Sequence, residues 1–163
     1  MRLIIFLLCF VPHLVLAQTT HTVDDPEIRF SLLVPEGWRV EDDGYTLAIV
    51  PPKGGSEYFD FTYFETEETT VNRTLEFTLN AFNDPDVTEF EVIKQSEEEI
   101  NGVVATKVTA NLLLKDEPFR RLIYLLIKDG QMYILRGHAK PENFEYFQPF
   151  FERIARSLQT ELI

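Results

Sequence analysis

Arg136 and His138 stand two apart in the stretch QMYILRGHA, and such spacing puts both side chains on one face of a strand. That pair either binds an anion or forms a solvated or carboxylate-paired strand end. Arg120-Arg121 is a second basic pair, suited to receive an acidic partner segment or to pair with nearby glutamates. Beyond the first 17 residues the imidazoles are His21 and His138 alone. A metal site built from both requires the segment around residue 21 to fold back, so a two-histidine site is not expected, and neither is a cofactor. Ser31, Ser56, Ser96 and Ser157 show no evident histidine and carboxylate partners, so nucleophilic catalysis has no support. The chain also has no G-x-S-x-G elbow, Walker-type loop, H-E-x-x-H or EF-hand loop. Acidic residues are denser: Glu65, Glu67 and Glu68 follow Asp60, and Glu97, Glu98 and Glu99 form a run. Calcium takes several oxygens from a shaped loop, and these runs lack the Asp/Asn/Gly alternation that shapes one. They read as solvated faces, with a divalent-cation site as the alternative. The expectation is a protein that is not an enzyme.

Compartment comes from the first segment. MRLIIFLLCFVPHLVLA places Arg2 before an apolar run, breaks at Pro12-His13, and ends with Val15 and Ala17 at the −3 and −1 positions of a cleavage site. That is the layout of a secretory signal peptide over residues 1–17. The run is shorter than the roughly 20 apolar residues a membrane span requires. Cys9 is the only cysteine, so cleavage leaves a chain without disulfide, thiolate nucleophile or cysteine-based zinc site. Removing residues 1–17 from the 163-residue chain leaves 146, enough for one domain with a sizeable core. Loss of Arg2 takes the formal charge from −12 to −13. That balance argues against nucleic acid and anionic membrane as partners, both of which select basic surfaces. Asn72-Arg73-Thr74 matches a glycosylation acceptor, discounted because the signal and the cysteine-free body fit bacterial export.

Polar residues 18–26 read as a loose leader, and residues 27–160 as one domain. Strands are expected at Ile28–Val34, Trp38–Glu41, Tyr45–Pro51 and Glu57–Glu65. Thr74–Phe82 carries Leu75, Leu79 and Phe82 at helical spacing, stopped by Asn83-Asp84-Pro85. Asn101-Gly102 and Asp129-Gly130 are hairpin turns, and Asp116-Glu117-Pro118 turns the chain between them. Residues 122–127 are apolar on both strand faces and therefore need cover on both. Helices are expected to supply it. The last, from Pro141, aligns Phe144, Phe147, Phe151, Ile154 and Leu158 in one stripe, with Pro149 expected to kink or split it. The fold class is α+β, a central antiparallel β-sheet flanked by helices.

The sole tryptophan follows a turn, Val-Pro-Glu-Gly-Trp, at residues 34–38. Trp38 either closes the core across the sheet's edge or stacks a ligand. Phe30, the Pro35-Glu36-Gly37-Trp38 turn, Gly102 with Ala105, and the finish marked by Tyr133, Phe144, Phe147, Phe151, Ile154 and Ser157 resemble the PsbP-like superfamily over nearly all of residues 27–159. The resemblance implies an αβα sandwich and a role among adaptors and accessory subunits that share no common active site.

The expected function is an exported, non-enzymatic accessory or binding module that engages an envelope protein, periplasmic or secreted. The alternative is a small-ligand or divalent-cation binder using the acidic loops or the aromatic strand Tyr58–Phe64. The candidate contact residues are Trp38, Tyr58, Arg120, Arg121, Arg136 and His138.

Overall fold

The computed structural model describes residues 18–24, 28–44, 46–53, 55–67 and 87–162. Among them run ten strands and one helix: β1 (Gln18–Asp24), β2 (Ile28–Pro35), β3 (Arg39–Asp42), β4 (Leu47–Val50), β5 (Tyr58–Glu65), β6 (Val87–Ile100), β7 (Val103–Leu114), β8 (Glu117–Lys128), β9 (Gln131–Ala139), α1 (Pro141–Arg156) and β10 (Gln159–Leu162). Seven strands form one antiparallel sheet in the order β3-β4-β5-β9-β8-β7-β6, and β1-β2-β10 form a second.

Long apolar strands joined by tight turns produce the large sheet. Asn101-Gly102 and Asp129-Gly130 carry positive φ at both positions, which two-residue type I′ hairpins require. The third turn is Lys115-Asp116, with φ of 52° and 63°, one residue earlier than the proline-based reading placed it. Pro118 instead lies within β8, opposite Leu113.

The architecture corrects the expectation of an αβα sandwich with helices flanking a central sheet. The described chain is mostly β, with a single helix. On one face of the large sheet Leu47, Ile49, Phe59, Phe61, Leu122, Tyr124, Leu126, Tyr133 and Leu135 are buried. Their cover is shared between α1, through Phe144, Phe151, Ile154 and Ala155, and β2, through Phe30, Leu32 and Val34. A strand thus does work that the sequence reading assigned to a helix. On the other face Val108, Ile123, Leu125, Met132 and Ile134 are buried, with Phe64, Phe90 and Ile127 packed against them. The expected helix at Thr74–Phe82 and the signal segment at residues 1–17 lie outside the described residues.

Two further expectations change. Gln18–Asp24, read as a loose leader, pairs along the whole of β2. Its polarity misleads because an edge strand needs backbone pairing more than buried side chains. The β-branched Thr19, Thr20, Thr22 and Val23 favour extended backbone. Pro149 does not split α1, which runs unbroken over 16 residues. Pro149 and Glu145, whose carbonyl loses its partner there, are both exposed, so water can satisfy that oxygen.

The seat of α1 depends on Gly137 of β9. A Cβ at that position would lie 2.8 Å from Phe151 Cβ and closer still to the ring. Only a hydrogen side chain lets Phe151 rest directly on the β9 backbone. Gly137→Ala is therefore expected to destabilise the protein by about 1–3 kcal/mol, the usual cost of overpacking. The urea midpoint reads it out, and a midpoint equal to that of the native chain would refute this account of the helix seat.

Candidate functional site

Strand register gathers the most polar part of the interior. Asp60 on β5 lies opposite Arg136 on β9, and His138 lies between Tyr58 on β5 and Arg121 on β8. All five side chains belong to the sheet face away from α1. Arg136 Nε donates to Asp60 Oδ1 at 2.6 Å, and His138 Nε2 stands 2.8 Å from Asp60 Oδ2. Arg121 Nε donates to His138 Nδ1 at 3.0 Å. The Tyr58 ring stacks on the imidazole, 4.3 Å between centroids at 19°. Asp60, Arg121 and His138 are buried.

The chemistry of the donors fixes the histidine. A guanidinium Nε–H can only donate, so Nδ1 must hold a lone pair and the proton sits on Nε2, donated to Asp60. Burial first, and the Arg121 charge second, push His138 down to about 4, against the Asp60 bond that raises it. Burial alone would raise Asp60, but the Arg136 charge and the bonds from His138 and Arg136 outweigh it and hold the carboxyl at about 2. With both ring nitrogens engaged, this neutral imidazole has no lone pair to offer a substrate proton or a metal. The arrangement is a satisfied buried network, of the kind that fixes register.

Both shifts act on stability in the same direction. His138 is neutral in the folded protein, while the unfolded chain takes up a proton near 6.5. Its contribution is therefore complete above that pH and falls away down to about 4. Asp60 adds a lower window, between 3.8 and about 2. His138→Gln, which keeps one donor and one acceptor, should abolish the upper window. Urea midpoints at pH 7 and pH 4.5 should then differ less for the variant than for the native chain. An equal loss in both would exclude His138 as the source.

The other sequence candidates separate. Arg120 points to the opposite face from Arg121, donates to Asn111 Oδ1 at 3.0 Å and stacks 5.6 Å from the Phe144 ring centroid. The two arginines thus do not form one receiving surface. The acidic runs separate as well. Glu98 faces α1 in a network where Lys107 Nζ lies 3.5 Å from Glu98 and 2.7 Å from Glu152, and Arg156 pairs with both carboxylates. Glu97 and Glu99 face the other way. Among the described residues no group of three or more His, Cys, Asp or Glu is placed to hold a metal ion. Beside the aromatic strand, Phe30, Phe61, Tyr63 and Val23 line a hollow of about 110 Å³, small against the several hundred Å³ of ordinary ligand sites.

Trp38 enters a cluster that sequence reasoning missed. The turn before it closes with Trp38 N–H donating to Pro35 O at 3.0 Å, and Gly37 takes φ of +78°. The indole then meets Phe150 at 5.7 Å, Phe147 at 6.0 Å and Phe151 at 6.4 Å between centroids. Tyr146 joins from the solvent side, 5.1 Å from Phe147 and 5.8 Å from Phe150, and is 69% exposed. Tyr146 and Phe150 lie off the buried stripe but four residues apart. That second helical row was the available signal.

Among the described residues, two antiparallel sheets and one helix, with α1 and β2 sharing the cover of the large sheet, make a β-rich fold that resembles the PsbP-like fold. No protein-family model and no curated protein matches the chain, and the likeness is seen among solved structures. Cyanobacterial PsbP (CyanoP) from Synechocystis sp. PCC 6803 superposes with a TM-score of 0.67 at 15% identity, covering 90% of this chain and 94% of that one. The Saccharomyces cerevisiae Ran-binding protein Mog1p gives 0.62 at 9% identity, over 88% and 95% of the two chains. LpqN, involved in cell envelope biogenesis of Mycobacterium tuberculosis, gives 0.59 at 15% identity, over 89% and 91%. At these identities the likeness establishes the fold.

Proposed function

We propose that the protein is an exported, non-enzymatic accessory module that docks on an envelope protein through the aromatic patch of Trp38, Tyr146, Phe147 and Phe150. The observation that carries this reading is the patch itself. Its rings contact one another, and the buried Phe151 anchors them from beneath. Such rings offer a large contact area at a low entropic cost, because few torsions remain to be frozen on binding. Tryptophan and tyrosine are the residues most enriched where protein partners bind tightly. An internal role explains Phe151 but not a tyrosine held 69% exposed above it.

Other features support the rest of the reading. The signal layout of residues 1–17 supports export, and no helix of the described residues is long and apolar enough to cross a membrane. One structural neighbour is named for binding a protein and another for envelope biogenesis. The engaged state of His138 supports a role without catalysis at that network.

A photo-cross-linking residue at Tyr146, in cells of the native source, is expected to capture one envelope protein at near-equal amount. The same residue at Glu65 should not. Phe150→Ser should abolish capture while leaving the thermal midpoint within a few degrees. Capture that survives Phe150→Ser, or that occurs equally from Glu65, would refute the patch as the docking surface.

A further inference from the structure

Strand β6 closes one side of the seven-stranded sheet, and among the described residues its ladder partner is β7 alone. Residues 91–97 are exposed without interruption. The outer backbone groups of such a strand can template another strand, and natural edges are usually blunted by bulges and charge. The first half of β6 is blunted in this way, with register shifts at Val87/Glu89 and Val92/Lys94. The second half carries charge but no such shift. From Lys94 opposite Thr109 to Ile100 opposite Val103, seven residues pair without a shift.

The charge of this segment selects what can be added. β6 carries five glutamates and one lysine. Glu98 is turned toward α1 and paired with Lys107 and Arg156. Glu97 and Glu99 project from the other face, are exposed, and make no ion pair among the described residues. Val104, opposite Glu99 on β7, is 59% exposed and adds aliphatic surface on the same side. A second copy of the chain would bring the same acidic row against itself, and like charges facing across a ladder are destabilising. A segment with lysine or arginine at alternate positions places a cation beside each free carboxylate while its backbone completes the ladder.

We infer that the Lys94–Ile100 edge of β6 receives an extended, lysine- and arginine-rich segment of a partner protein as an added strand. The surface is separate from the aromatic patch, so it stands or falls independently of the docking reading above.

The test uses the intact protein and a nine-residue peptide of alternating lysine and valine, with binding followed by fluorescence anisotropy of labelled peptide. Glu97→Lys combined with Glu99→Lys should weaken binding at least tenfold. The pair Glu41→Lys and Glu65→Lys, equal in charge but away from β6, should change it less than twofold. An N-methylated peptide of the same sequence keeps the charges but cannot pair its backbone, and it should also bind at least tenfold more weakly. Hydrogen exchange should show protection gained within residues 94–100. Equal binding of the N-methylated peptide would reduce the effect to charge attraction and overturn the inference. Equal weakening by both charge reversals, protection elsewhere, or no binding of the alternating peptide would overturn it too.

Discussion

Everything on the helical side of this molecule depends on the contact between Phe151 and the bare backbone at Gly137. That contact sets the depth of α1 over β9. With the depth fixed, Ile154 and Ala155 fall into the core shared with β2. The helix end then reaches β2 directly. Ser157 Oγ accepts from Leu33 N–H at 2.8 Å and donates to Ile154 O at 2.6 Å. The same depth lifts the opposite flank of α1, so that Phe147 and Phe150 meet Trp38 at the surface. One missing side chain on a strand thus positions an exposed cluster on a helix. The ionic group of Glu98, Lys107, Glu152 and Arg156 then pins the helix against the β6–β7 hairpin.

The other face is organised by polarity. Burying an aspartate, an arginine and a histidine, with a second arginine half-buried beside them, is costly unless every group is matched. Here the pairing opposes Asp60 to Arg136 and His138 to Arg121 in direct register. A slip of one residue between β5 and β9 would turn Asp60 into the aromatic core and bring Phe59 or Phe61 into the polar layer. The network therefore specifies which residues pair as much as it adds stability. The same pairing commits both nitrogens of the histidine: Arg121 donates to one, and the other donates to Asp60.

Much of this was legible in the sequence because the signals were local. Hairpin turns at Asn101-Gly102 and Asp129-Gly130, alternation in β5 and β7, and the double-sided apolar run in β8 all sit within a few residues. The PsbP-like likeness followed from the same segments. The covering layer was not legible in this way. Whether a helix or a strand roofs a sheet depends on pairing between residues 28–35 and residues 18–24 and 159–162, which no local pattern encodes. The partners of the site residues were not legible for a related reason. Arg136 and His138 were correctly placed on one face, but Asp60, 76 residues from Arg136 in sequence, decides their role. The exposed row of Tyr146 and Phe150 was masked by the stronger buried stripe beside it.

The second sheet has a kinetic side. Its middle strand, β2, is joined to β1 by a short connection, but its other neighbour, β10, arrives more than a hundred residues later. The β6–β9 meander, by contrast, closes through three two-residue turns and has little chain entropy to overcome. A chain delivered from its N-terminus therefore holds β2 with one side open while the meander is already complete. Only when residues 159–162 pair with β2 is that strand sealed between two neighbours. The last strand acts as a latch, and the interval before it closes is when β2, with Phe30, Leu32 and Val34 along it, is most open to pairing with another chain.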